Sequence, residues 1–328
     1  MPMVLVSSRS FANIVSIGEE LLTEAGFEVR RIGPADRPLD EEKMKSIVAR
    51  DNPDVIISGA EPISANVLAS SENLSLIMKH GVGVDNIDLD AATSLGIAVA
   101  NAPGTNTDAV ADFTIAVILS LLRHIVPAAE STKAGEWNRY LGNELGRQTV
   151  GVVGTGRIGK AVIRRLSGFG SQILAYDIYQ DASLIKKFGV RYVKLEELLS
   201  QADVVTLHLP LLPETRNLLG REELRMMKKT AVLVNIARGE LIDEPALAEA
   251  LAEGWIAAAG LDVFAVEPPK GNPLLSLENV LATPHIAAYT TEAMEAMDRM
   301  CAETIIAFFA ERYNKNILNP EAVDKRKA

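Results

Sequence analysis

The sequence predicts an α/β protein: two doubly wound parallel-sheet domains, one inserted into the other. Three observations lead to this class. Short apolar runs alternate with amphipathic stretches along most of the 328 residues, as parallel strands joined by right-handed helical crossovers do. A glycine-rich turn, Gly154-Thr155-Gly156-Arg157-Ile158-Gly159, follows a small apolar run nearly halfway along the chain. The stretch before it is too long for a leader arm and carries a strand–helix series of its own.

In chain order, strands are expected at residues 3–7, 28–32, 54–58, 75–79 and 98–101. The clearest helix between them is expected at 10–25, with Gly26 as its C-cap. A long apolar helix follows at about 108–124, then a polar connector through Gly135 and Trp137. The second series has strands at 149–153, 172–176, 191–193, 204–209, 231–235, 258–263 and 280–282, enough for a complete doubly wound sheet. A last helix, about 291–312, puts Met294, Met297, Cys301, Ile305 and Phe308 on one face. That stripe is expected to dock back on the first domain. The charged residues 324–327 are expected to be solvated.

Composition fits this class, with 48% hydrophobic and 23% charged residues. Lysine and arginine total 33 against 43 acids, a net charge of -10. That balance argues against a general nucleic-acid or membrane-surface binder. It does not exclude an anionic substrate, because a few local cations outweigh a distant negative surface. The single cysteine, Cys301, forbids an internal disulfide and suits a reducing cytoplasm. The apolar start at 1–6 is too short for a secretory signal. The most apolar longer stretch, 113–122, is about half the roughly 20 residues a membrane span needs, so no span is expected. No H-E-x-x-H or C-x-x-C spacing occurs, and no metal is expected.

The turn at 154–159 reads as G-x-G-x-x-G, a dinucleotide-binding fingerprint when it joins a strand to a helix. Gly154 permits the tight turn, Gly156 lets the backbone approach a pyrophosphate, and Gly159 allows close strand–helix packing. The following helix offers unpaired N–H groups to phosphates. Alone, the pattern is also that of an ordinary glycine-rich turn. A phosphate-loop ATPase is disfavoured because Ala161 stands where a magnesium-binding hydroxyl is needed. The stronger sign is Asp177, 23 residues after Gly154, where an acid accepts hydrogen bonds from the adenosine ribose. Its carboxylate repels a 2′-phosphate, so NAD is expected over NADP. The structural alternative for Asp177 is a helix N-cap.

Ligands of open parallel sheets bind beyond the carboxyl ends of the strands. In the second half those ends offer Arg238, Glu267 and His285. Each has a plainer reading: a surface turn, a loop charge, a buried packing histidine. Together beside a nicotinamide cofactor they suit one chemistry. Reducing a ketone to an alcohol needs a proton donor, and the reverse needs an acceptor; imidazole serves both. A neighbouring glutamate orients the ring and balances its charge. Arginine grips a carboxylate through two parallel hydrogen bonds. The set predicts a 2-oxo or 2-hydroxy acid substrate.

At these residues the chain resembles the D-isomer-specific 2-hydroxyacid dehydrogenase family. The matching stretches are GVVGTGRIGK, HLPLLPETRNLL, VNIARGELIDEPAL, GLDVFAVEP and ATPHIA, joined by KHGVGVDN and NAPGTNTDAVADF in the first half. The resemblance implies Arg238 as substrate anchor, Glu267 as partner and His285 as acid/base. It implies a Rossmann NAD domain, 102–288, inserted in a flavodoxin-like substrate domain made of 1–101 and a returning helix within 289–328, usually as a homodimer. It also implies that Arg157, Ile158, Leu209, Pro210 and Ile236 join the glycines and Asp177 as cofactor contacts. Asp262 lies near the nicotinamide by the same likeness, or caps a strand end. Val82 and Gly83 offer backbone N–H groups to a carboxylate, or form an ordinary turn. Asn106 touches substrate, or caps the long helix.

Among the other histidines only His80 rivals His285 as acid, since it adjoins the 81–83 loop. Several stretches resemble phosphoglycerate dehydrogenase without its regulatory part. That enzyme's Arg-Ser phosphate pair has no counterpart in Ser58-Gly59-Ala60-Glu61-Pro62, and Glu61 repels a dianion. A smaller acid such as glyoxylate or hydroxypyruvate is therefore expected, with 3-phosphoglycerate dehydrogenase itself as the alternative. Formate dehydrogenases are disfavoured, because the resemblance implies a glutamine partner for their histidine. From another class, a non-catalytic NAD(H)-sensing corepressor-like protein keeps the same triad, though such proteins carry interaction tails not seen here.

Overall fold

In the computed structural model, which describes residues 1–312 and 315–327, the chain divides into two units. One is Met1–Asn106 with Tyr289–Ala328; the other is Thr107–Ala288.

Five strands form the sheet of the first unit: β1 (Met3–Val6), β2 (Glu28–Arg31), β3 (Val55–Ser58), β4 (Leu76–Lys79) and β5 (Ala98–Ala100). Their order is β2-β1-β3-β4-β5, all parallel, the flavodoxin-like arrangement. Successive side chains point to opposite faces. Val4, Val6, Ile57 and Met78 pack with one core, and Leu5, Ile56 and Ile77 with the other. Both faces are covered, which is why β1, β3, β4 and β5 read as largely apolar runs; the edge strand β2, Glu28-Val29-Arg30-Arg31, is mostly exposed. Helix Thr291–Phe309 covers the first face with the expected stripe: Met294, Met297, Cys301, Ile305 and Phe308 are all buried there.

Three local expectations need correction. The helix expected at 10–25 is only Ile17–Glu24. Phe11 is buried, Ala12 takes the left-handed conformation (φ 46°), and the Ala12 N–H is held by Asp298 at 2.8 Å. A helix cannot propagate through that turn. Gly26, with φ 85°, does close the helix as expected. The polar connector contains helix Ile125–Lys133, which starts afresh after His124 (φ 51°) and tolerates Pro127 in its first turn. The backbone of the tail is helical over Pro320–Lys327 and buries Ala322 and Val323. The side chains of Asp324, Arg326 and Lys327 lie outside the described residues.

The second unit has seven strands: β6 (Thr149–Val153), β7 (Gln172–Tyr176), β8 (Arg191–Tyr192), β9 (Val204–Leu207), β10 (Val232–Asn235), β11 (Ala258–Leu261) and β12 (Val280–Ala282). They run parallel in the order β12-β11-β10-β9-β6-β7-β8. This is the Rossmann order with one further edge strand. The strand order reverses between β6 and β9, where such sheets bind their ligands. β9 and β11 end two residues earlier than expected, so His208, Leu209 and Asp262 belong to rim loops. Helix Thr107–Leu122 packs Val110, Ile118 and Leu122 into the same core as Val150, Val152 and Val234. Among the described residues no single helix is long and apolar enough to cross a membrane.

Candidate active site

The turn after β6 is built by backbone demands. Gly154 has φ 95°, and its N–H bonds the Tyr176 carbonyl at 2.8 Å. A Cβ there would also meet His208 main-chain atoms at 2.8 Å. At Gly159 a Cβ would fall 2.0 Å from the Gly154 carbonyl oxygen, so only glycine lets helix Arg157–Phe169 start this close to the strand. At Gly156, the helix N-cap, a Cβ would meet nothing within 4 Å, which leaves room for a phosphate. Arg157 and Ile158 form the first turn, with its unpaired N–H groups. Leu209 and Pro210 follow β9 beside it, because the His208 N–H bonds the Val153 carbonyl at 2.7 Å. Ile236 is buried, its side chain in the core under the sheet.

Asp177 stands at the end of β7. It is not the N-cap of the next helix; that is Asp181. One carboxylate oxygen of Asp177 accepts the Thr155 N–H (2.6 Å) and hydroxyl (3.0 Å), and the other accepts the Tyr179 N–H (3.0 Å). Burial raises this carboxyl, but those donors and the Ile178 N–H outweigh it, and Asp177 titrates below the usual range. An acceptor that stays ionised beside a glycine turn and a helix N-terminus fits a dinucleotide's ribose and pyrophosphate.

On the same rim of the sheet, Glu267 and His285 meet: Nδ1 of His285 lies 2.8 Å from Oε2 of Glu267. Burial raises the Glu267 carboxyl; the hydrogen bond and charge of His285, the Phe264 N–H and the Arg238 charge together hold it below its ordinary value. An ionised carboxylate only accepts, so Nδ1 carries the hydrogen and Nε2 is left as the proton-exchanging nitrogen. Arg238 is half-buried, follows β10, and has its carbonyl held by the Asn235 side chain at 2.7 Å. A Cβ on the next residue, Gly239, would fall 2.0 Å from the Phe264 carbonyl carbon, so the Arg238 and Glu267 loops pack directly on each other.

Asp262 is buried to 1% exposure. Its carboxylate accepts the Thr283 hydroxyl (2.6 Å) and the Ile286 and Ala287 N–H groups (both 2.9 Å). Those three donors flank His285, whose φ is 55°. The arrangement at Asp262 is the strand-end cap, and what it caps is the segment carrying His285.

The remaining expected residues belong to the first unit. Val82 and Gly83 follow β4 in a loop pinned by Asn101, whose side chain donates to the Val82 carbonyl at 2.7 Å. Asn106 immediately precedes helix Thr107–Leu122, yet its Oδ1 is buried without a hydrogen-bond partner. It makes no capping bond. His80 is enclosed: Nε2 meets Asp298 at 2.6 Å, Nδ1 meets Ser10 at 2.9 Å, and its ring sits edge-on to Phe11. It serves packing in that unit. Sequence reasoning missed Thr155, Tyr192 and Thr283, polar side chains that hold Asp177 and the His285 segment. Thr155 lay inside the fingerprint, but its partner is 22 residues away.

A family model described as "D-isomer specific 2-hydroxyacid dehydrogenase, NAD binding domain" matches residues 115–287. A glyoxylate reductase of Pyrococcus furiosus is 40% identical over 99% of this chain and 98% of its own length. A D-3-phosphoglycerate dehydrogenase of Methanocaldococcus jannaschii is 43% identical over 92% of this chain, which spans 57% of that relative. Among solved structures, a D-lactate dehydrogenase from Aquifex aeolicus complexed with NAD and lactic acid is 29% identical. Its TM-score is 0.85, with 97% of this chain and 99% of that one covered.

Proposed function

The chain belongs to the D-isomer specific 2-hydroxyacid dehydrogenase family, and from that premise we propose how its residues carry the NAD-dependent interconversion of a D-2-hydroxy acid and its 2-oxo acid. The cofactor this fold implies, NAD, would supply the hydride donor or acceptor for the substrate's C2 carbon. Gly154, Gly156, Gly159, Arg157, Ile158, Leu209 and Pro210 would hold its pyrophosphate side and Asp177 its adenosine ribose, and the resemblance implies that Ile236 and Asp262 would lie on its nicotinamide side. Arg238 grips the substrate carboxylate in a bidentate pair and polarises the adjacent carbonyl. Nε2 of His285 gives a proton to the C2 oxygen in reduction and takes it back in oxidation. Glu267 keeps Nδ1 protonated and the ring aimed. The resemblance implies that Val82, Gly83 and Asn106 are further substrate contacts. The observation that carries this reading is the 2.8 Å His285–Glu267 pair on the Arg238 rim.

The substrate we favour is a small 2-oxo acid such as glyoxylate or hydroxypyruvate. A relative named glyoxylate reductase matches over 98% of its own length. Glu61 supports the same choice. It is nearly buried at the end of β3, with Oε1 accepting the Gly59 N–H at 2.7 Å and the Ser7 hydroxyl. Arg37 lies within range of its charge and offsets part of the repulsion expected for a phosphate. NADH oxidation across a panel of 2-oxo acids that includes 3-phosphohydroxypyruvate tests the proposal. Highest kcat/KM for the phosphorylated acid overturns the substrate choice. NADH binding with no turnover on any acid supports the binding-protein reading instead.

We also propose a cytoplasmic homodimer. Its contact is an arm after helix Ile125–Lys133, where Trp137 and Leu141 are 78% and 95% exposed, an apolar surface that a second copy would cover.

A further inference from the structure

A line of hydrogen bonds runs from helix Ala182–Phe188 to the fingerprint turn of the Thr107–Ala288 unit. The Asp181 N–H donates to the Tyr192 hydroxyl at 3.1 Å. Tyr192 donates to Thr155 Oγ1 at 3.0 Å, and Thr155 donates to Asp177 Oδ2 at 3.0 Å. The direction is forced from both ends. A backbone N–H can only donate, and an ionised carboxylate can only accept. Each hydroxyl in between therefore has its one proton committed toward Asp177, and such chains polarise one another. Thr155 is 4% exposed, so water does not readily replace its hydroxyl.

The far end is anchored as firmly. The Asp181 carboxylate caps its helix through the Ser183 N–H at 2.8 Å and pairs with the Lys160 ammonium at 2.5 Å. Lys160 sits in the first turn of the helix that follows the glycines, and its charge is engaged by Asp181.

We infer that Asp181, Tyr192 and Thr155 form a one-way relay that fixes the Asp177 carboxylate, and that this relay sets the discrimination between a ribose 2′-hydroxyl and a 2′-phosphate. The inference rests on the reading of Asp177 as the ribose acceptor. Thr155 and Tyr192 are positioning residues that act through Asp177. A carboxylate held ionised and in one orientation accepts the ribose hydroxyls well and repels a phosphate; a loosened one does both less well.

Equilibrium titration of NADH and NADPH against wild type, Thr155→Val, Thr155→Ser, Tyr192→Phe and Asp177→Ala tests this without recourse to turnover. Thr155→Val should narrow the NADPH-to-NADH ratio of dissociation constants about tenfold by weakening NADH and tightening NADPH, with about threefold for Tyr192→Phe. Thr155→Ser should keep the wild-type ratio, since the hydroxyl remains. A general structural defect would weaken both cofactors equally. Tyr192→Phe keeps its ring and probes the same relay should Thr155→Val not fold. An altered ratio in Asp177→Ala with unaltered ratios in both relay variants overturns the relay while the ribose reading stands. An unaltered ratio in Asp177→Ala overturns both.

Discussion

His285 sits at φ 55°, a region that costs a side-chain-bearing residue roughly 1–2 kcal/mol. Asp262 offsets that cost, because its carboxylate takes donors on both sides of the histidine. Asp262→Ala leaves the buried Ala287 N–H and the part-buried Ile286 N–H without their acceptor. Chemical denaturation should show a loss of about 3 kcal/mol, and turnover should fall more than NADH binding does. Glu267 makes a second prediction, through pH. Its folded pKa lies below the ordinary carboxylate value, so its stabilising contribution is present above about pH 4.3. That contribution is lost as pH falls through the depressed folded value. Urea titrations of wild type and Glu267→Gln should therefore differ at neutral pH and converge in acid. Residue identities at the site were legible because three reactive types stood at three successive strand ends. Their supports were not: Thr283 and Tyr192 are unremarkable letters until folding brings them to Asp262 and Thr155.

Among the elements, the turn between β6 and helix Arg157–Phe169 is the least tolerant. Gly159→Ala would drive a methyl into the Gly154 carbonyl, 2.0 Å away, and the helix would have to retreat from the strand. NADH affinity should drop at least about tenfold, with thermal unfolding shifted down, since overpacking costs about 1–3 kcal/mol. Inner strands were read well from sequence because both faces of each sheet are covered there, leaving apolar runs, whereas the edge strands β2 and β8 are polar and largely exposed. Helix limits were read poorly. Ala12 and His124 adopt left-handed conformations that neither glycine nor proline announced. β11 stops at Leu261 because Asp262 turns its carboxylate to the 283–287 segment, a long-range demand invisible in local pattern.

At the level of the whole chain, the position of the fingerprint halfway along the sequence foretold two parallel sheets, and five and seven strands are found. The right-handed crossovers were predictable from parallel pairing alone, but the two different strand orders were not legible in the sequence. The surface proposed for self-association was not legible, since Trp137, Tyr140 and Leu141 stand among polar residues in a stretch that reads as an ordinary polar connector. Leu141 is almost wholly exposed within one chain. Leu141→Asp should leave the fold intact and shift the proposed dimer to monomer in analytical ultracentrifugation; an unchanged dimer would move the interface elsewhere, and a monomeric wild type would overturn the dimer.

The chemistry assigned to Nε2 of His285 can be isolated from everything else by one comparison. NADH oxidation by His285→Ala is measured with the best 2-oxo acid, beside the dissociation constant for NADH. The proton-transfer role predicts a fall in kcat/KM of about 100- to 10,000-fold, with NADH bound about as tightly as in wild type. Turnover at the wild-type rate in that variant would contradict it.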